Sequence, residues 1–243
     1  MEKILWILTF IFLSNSPSLA QKQVLLDFRD DSSLSIKERP KLAAKTEKSV
    51  ISKVVISKDK PCDGNLNPQV IDYLPGKFTT SKAPQTVYLV DLGDSCHPRN
   101  QGTRRLAVFS GNNLVSYTDA TGYSQILKSS DINSDGQEEL VLQGSFLGQG
   151  YFVVFAQLVE MNHQRIQTVK DFKVLYKNNL ATGASNLSRQ AAVISVSKTD
   201  TGRLVFTRDN YSAQCVRVDD ETIEGECSVY KYINSGDFPE DAQ

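Results

Sequence analysis

Tryptophan, methionine and histidine are scarce in this chain, and the scarcity narrows its chemistry. The single Trp is Trp6, inside an apolar N-terminal run, so the rest of the chain has no indole to lay against a sugar ring. His97 and His163 are its only imidazole bases, and both fall in loop-like sequence. No G-x-S-x-G elbow presents a Ser nucleophile, and no Gly-rich phosphate loop runs into a helix. A formal net charge of −1 argues against nucleic acid as the main partner. No stretch has a long helical period, and no apolar run is long enough to span a membrane. Catalysis is therefore thinly supported. Glu138 and Glu139 do not form a glycosidase pair, because adjacent side chains of a strand face opposite ways. Arg99, Arg104 and Arg105 read as a solvated loop cluster rather than an anion site.

The first twenty residues have their own pattern. Glu2 and Lys3 precede an apolar run from Ile4 to Leu13, and Ser18-Leu19-Ala20 supplies small residues at a cleavage site. This is the pattern of a secretory signal peptide over 1–20, cut before Gln21. The expected localisation is secreted or periplasmic, with no transmembrane anchor in the remainder. Four Cys agree with an oxidising compartment: Cys62, Cys96, Cys215 and Cys227 suit two disulfides rather than a zinc or C-x-x-C site. Three pairings are open. The local one, Cys62–Cys96 and Cys215–Cys227, is preferred because each pair lies within one candidate unit.

Residues 21–60 are rich in charge and Ser, with Val24-Leu25-Leu26 only briefly apolar. They read as an exposed arm or linker, with a short helix over 41–48 and a strand over 50–57 as its candidate elements. Beyond them, 61–243 reads as one β-rich domain. Strand-like runs rich in β-branched and aromatic residues are predicted at 86–90, 105–110, 114–117, 124–127, 139–143 and 151–159. Further runs follow at 165–174, 191–196, 204–207, 214–218 and 228–233, so the predicted class is all-β with antiparallel sheets. Asn186 and Asn210 begin N-x-S sequons, which count only in a eukaryotic secretory pathway.

One stretch carries chemistry. In Asp131-Ile132-Asn133-Ser134-Asp135-Gly136-Gln137-Glu138-Glu139-Leu140, oxygen-bearing side chains fall at every second position from Asp131 to Asp135. Glu139 follows, the Gln137 carbonyl can fill a gap, and Gly136 sits where the chain must bend. Oxygen donors with three formal negative charges suit Ca²⁺. An EF-hand is excluded, since its twelfth-position Glu is here Leu142 and β-type sequence follows. A metal-free turn, with Asp and Asn capping their own backbone, is the plainer alternative.

The stretch resembles the calcium loop of FG-GAP/VCBS repeats, known from integrin α-subunit propellers and bacterial surface proteins. Asp131 to Leu140 fits D-x-[DN]-x-D-G-x-x-[DE]-[LI], although Glu139 stands where Asp is commoner. Gly144-Ser145-Phe146-Leu147-Gly148-Gln149-Gly150-Tyr151 is similar to the glycine and aromatic segment that follows. The resemblance covers about 123–158. It implies blade-like antiparallel units, a small or incomplete propeller-like arrangement whose ring closure stays open, and one structural Ca²⁺ on Asp131, Asn133, Asp135, Gln137 and Glu139. Segments 87–117 and 192–218 repeat the strand and loop order faintly. Asp91 and Asp94 stand as remnants of ligands in the first, and Lys198 to Gly202 replaces the acidic loop in the second. The implied role is a non-catalytic binding or surface-interaction module meeting a protein or glycan outside the cell. The competing reading is a secreted hydrolase or an accessory domain, with His97 or His163 as base.

Overall fold

The computed structural model describes residues 22–30, 34, 41–55, 66–80, 82–93, 102–161, 166–182, 186–217, 223–224, 227 and 229–236. The fold is all-β and antiparallel, with one short helix. Its strands are β1 (Gln23–Asp27), β2 (Gln69–Gly76), β3 (Gln85–Asp91), β4 (Arg104–Ser110), β5 (Asn113–Asp119) and β6 (Gln125–Ser130). Next come β7 (Glu139–Gly148), β8 (Tyr151–Met161), β9 (Ile166–Asn178), β10 (Asn186–Lys198), β11 (Leu204–Arg217), β12 (Ile223–Glu224) and β13 (Lys231–Ser235). The helix, α1, is Ala44–Val54. Among the described residues, no helix is long and apolar enough to cross a membrane.

Strands β2 to β5 form a four-stranded meander. The larger sheet runs β12-β11-β10-β9-β8-β7-β6, with β1 added on β10 and β13 on β11; neither sheet closes into a barrel. The join between its halves is short. Strand β9 pairs with β10 only through Tyr176, Lys177 and Asn178, and from Val193 onward β1 takes over that edge of β10.

Alternation of side chains explains how the layers stack. In β3 and β4, Val87, Leu89, Leu106 and Val108 face a core shared with Ile126, Leu140, Leu142, Val159 and Met161. Their neighbours Tyr88, Val90, Ala107 and Phe109 face outward into a second core under Val50 and Val54 of α1. Likewise Val141, Val154, Ala156 and Leu158 turn the other faces of β7 and β8 into a third core. That core also holds Leu25, Leu26 and Phe28, together with Ile194 and Val196 of β10. Strands buried on both faces must be apolar at successive positions, as Leu140-Val141-Leu142 is.

The N-terminal stretch is corrected by this packing. The described part of 21–60 is no exposed arm: β1 buries Leu25 and Leu26, and α1 buries Val50 and Val54. Nor is there a strand at 50; the helix runs through it to Val54. Its acidic Glu47 lies in the first turn and its basic Lys53 in the last, in favour with the helix dipole. Glu47 Oε1 accepts from the Val70 N–H at 3.2 Å, Lys53 Nζ donates to the Asn112 carbonyl, and Arg105 donates to the Val54 carbonyl at 2.9 Å.

The disulfide expectation holds where it is described. Cys215 is bonded to Cys227, with Cα atoms 4.9 Å apart. Cys62 and Cys96 lie outside the described residues, as does the 1–20 segment. Asn210 is 0 % exposed, so its sequon is closed to a glycan in the folded chain.

Tyr123 offers a test of one packing contact. It is half-buried against Phe155, ring centroids 6.1 Å apart. Burial, helped by the repulsion of Asp171, pushes its phenol up to about 12. A raised folded value means stability is intact below the unfolded value near 10 and falls as pH rises towards 12. After allowance for partial exposure, the loss is about 2 kcal/mol. Urea unfolding of wild type between those pH values is expected to show this slope, and Tyr123→Phe is expected to flatten it. Equal slopes would remove Tyr123 from the alkaline transition.

Candidate functional site: the β6–β7 loop

The stretch from Asp131 to Glu138 connects β6 to β7, and each of these strands contributes to both large cores. Its conformation follows from Asp and Asn side chains folding back on their own backbone. Asp131 Oδ1 and Asn133 Oδ1 both accept from the Asp135 N–H, at 3.0 and 2.8 Å. Asp131 Oδ2 accepts from Gly136 N–H at 2.9 Å, and Asp135 Oδ1 from Gln137 N–H at 2.7 Å. Asn133 Nδ2 completes the ring by donating to Asp135 Oδ2 at 3.1 Å. Ser134 and Gly136 both have positive φ, 66° and 88°. The loop needs two left-handed residues, and glycine supplies one at no steric cost.

Three of the five sequence-predicted ligands are thus brought together: Asp131, Asn133 and Asp135. Glu139 opens β7 and is 2 % exposed, with Oε2 accepting from the Ile132 N–H at 2.8 Å. Burial holds its carboxyl above the usual range; the Ile132 N–H works against that, and repulsion from Asp135 and Asp131 adds to it. Gln137 enters the hydrogen bonds above through its N–H. Among the described residues, no three His, Cys, Asp or Glu side chains are gathered closely enough to hold a metal ion. The donor set is nevertheless compatible with one. A carboxylate or amide oxygen has two lone pairs, so accepting one N–H leaves a second for a cation. Asp131 and Asp135 are exposed.

Two contacts around the loop were not legible in the sequence. Ile132 packs its side chain against the core that holds β1 and β10. Lys198, at the end of β10, donates from Nζ to the Asn133 carbonyl at 2.6 Å. The segment 198–202, expected as a degenerate copy of the loop, is the β10–β11 turn, and it packs beside the loop itself.

The other candidates separate cleanly. Asp91 is committed elsewhere, accepting from Gly93 N–H at 2.8 Å and pairing with Arg104 Nε at 3.0 Å. Arg104 also donates to the Tyr123 carbonyl at 2.7 Å, and Arg105 caps α1, so both arginines hold structure. Asp94, His97, Arg99 and His163 lie outside the described residues. The meanders β3–β5 and β6–β8 share the order strand, loop, strand, turn, strand, and they pack face to face. No protein-family model, curated protein or solved structure matches the chain.

Proposed function

We propose that the chain is an exported, β-rich binding protein stabilised by one Ca²⁺ in the Asp131–Glu139 loop. The observation that carries the reading is the convergence of Asp131 and Asn133 oxygens on one backbone N–H, with Asp135 tied to the same ring. Asp131, Asn133, Asp135, the Gln137 carbonyl and Glu139 would hold the ion. Its chemistry there is charge neutralisation: clustered carboxylates that repel one another become mutually compatible. Because β6 and β7 serve both large cores, fixing their connection fixes the centre of the molecule. Partner recognition outside the cell, of a protein or a glycan, then falls to loops held by the sheets.

Thermal unfolding with Ca²⁺ or chelator tests this. At an extracellular-type affinity on the order of 10⁻⁴–10⁻³ M, 10 mM Ca²⁺ stabilises by about 1.4–2.7 kcal/mol. A Tm rise of roughly 3–10 °C is therefore expected, reduced with Mg²⁺ and abolished by Asp135→Ala. Identical melting with Ca²⁺ and chelator would leave a plain turn closed by its own N–H groups.

A further inference from the structure

We propose that the crevice between the β6–β7 loop and the β10–β11 turn binds one neutral sugar ring, a pyranose unit of a glycan. The proposal rests on the reading that loops recognise a partner outside the cell, and it names that partner; it does not require calcium in the loop.

The crevice arises where neighbouring strands end unequally. Pairing of β1 with β10 stops at Gln23 and Val196, and β10 runs on through Ser197 and Lys198. The β6–β7 loop comes alongside there, with Lys198 Nζ reaching across to the Asn133 carbonyl. A space of about 260 Å³ lies between them. Drug-sized ligands occupy about 300 to 1,000 Å³, so this space suits a single small ring rather than an extended ligand.

Its floor is the edge of a core. Val196 belongs to the core that holds β1 and β10, and half-buried Ile132 and Leu204 pack against that core. All three line the crevice. They give a small aliphatic patch, which suits the C–H face of a pyranose. Around it stand Ser130, Ser134 and Ser197, which carry hydroxyls, and Gln23, which carries an amide. Each of these groups both donates and accepts, as a sugar hydroxyl does. Among the described residues, none of the four side chains is held by a hydrogen bond, so their polar atoms are left to solvent or to a ligand.

Charge sets the class of ligand. Lys198 is the one cation and Asp131 the one carboxylate among the described lining residues, so the lining has no net charge with which to select an ion. Asp131 turns its oxygens into its own loop, accepting from the Asp135 and Gly136 N–H groups. Lys198 gives one N–H to Asn133 and keeps two for hydroxyl oxygens. Neutral donors and acceptors around an aliphatic floor select a polyol with carbon on one face.

Amide NMR titration of the chain from Gln21 tests the crevice, once with Ca²⁺ and once with chelator. The probes are the methyl glycosides of glucose, mannose and galactose, each to about 50 mM. At least one is expected to give saturable shifts at Ser134, Ser197, Lys198 and Leu204, with a dissociation constant on the order of 1–10 mM. Cyclohexanol has the ring without the polyol, and glycerol the polyol without the ring; each should bind at least about tenfold more weakly. The double variant Ser134→Gly/Lys198→Met alters two exposed residues, and glycine accepts the φ of 66° at position 134. It should weaken glycoside binding about fivefold while its melting temperature in chelator stays within about 2 °C of wild type. No saturable shift with any of the three glycosides would overturn the proposal. So would equal binding of cyclohexanol or glycerol, or a double variant that binds as wild type does. Glycoside shifts without a calcium effect on melting would support the crevice and remove the ion; a calcium effect without glycoside shifts would remove the crevice alone.

Discussion

Gly144→Ala is expected to destabilise the chain by about 3 kcal/mol, lowering its melting temperature by roughly 6–12 °C. A Cβ at Gly144 would stand 2.2 Å from the Gly122 carbonyl oxygen and 2.3 Å from Cζ of Phe155. The first obstacle is backbone and cannot rotate aside. The second is a ring lying across Gly144 from its paired position on β8, and it also packs on Tyr123. The turn ahead of β6 presses on β7 here, with Ser124 N–H donating to the Gln143 carbonyl at 2.7 Å. A glycine inside a strand commonly marks such a close approach of another backbone. Gly148, further along β7, is the control: the nearest atom to its Cβ would be Phe146 Cδ2 at 3.9 Å. Gly148→Ala should therefore change stability by less than about 1 kcal/mol. Urea unfolding of the two variants reads the difference directly. Equal effects would mean that the Gly122 turn yields, and that the contact does not constrain β7.

The strands that could be read from the sequence are mostly those buried on both faces. β3, β4, β7 and β8 serve two cores each, so apolar residues stand at successive positions along them, broken in β8 only by Gln157 between Phe152 and Val159. β1 was hidden because its few apolar residues acquire meaning only when paired with β10, far along the chain. α1 was legible only in its first half, as the short helix over 41–48; its second half was hidden because its buried side chains are only Val50 and Val54, and long-range contacts from Glu47, Lys53 and Arg105 complete its docking. Strand β11 read as two strands because Arg208, Asp209 and Asn210 interrupt its apolar pattern. Those residues are polar for a reason local sequence does not contain: Arg208 holds the diverging β9, and Asn210 holds β13.

The candidate site divides along the same line. Asp131, Asn133 and Asp135 bond their immediate neighbours, so their spacing alone announced the loop. The burial of Glu139 and the approach of Lys198 depend on sheet packing and carried no local signal. The crevice beside the loop draws its lining from β1, β6, β10, β11 and the loop itself, and no window of sequence contains it.

Asp72→Ala is expected to cost about 3 kcal/mol, because this carboxylate joins the two sheets. Asp72 is 3 % exposed in β2, where acidic residues are normally disfavoured. A register shift between Val70 and Asp72 bulges the strand, and such bulges re-aim side chains. Oδ2 then accepts from the Ile126 N–H of β6 at 2.6 Å, while Oδ1 accepts from the Tyr73 N–H at 2.7 Å. Removing the carboxylate leaves buried donors without it, at about 1–3 kcal/mol for each donor that finds no replacement. Asp72→Asn keeps one carbonyl oxygen and should recover part of the loss. Asp119 provides the comparison, since it makes a similar contact, 2.8 Å from Thr121 N–H, but is exposed. Water can replace it there, so Asp119→Ala should cost less than about 1 kcal/mol. Amide exchange adds location to magnitude: in Asp72→Ala the Ile126 amide should lose protection while the β10–β11 pairing keeps its own. If the Asp72 and Asp119 variants lost the same stability, the two sheets would be held by their apolar contacts alone, and the bulge in β2 would have no energetic role.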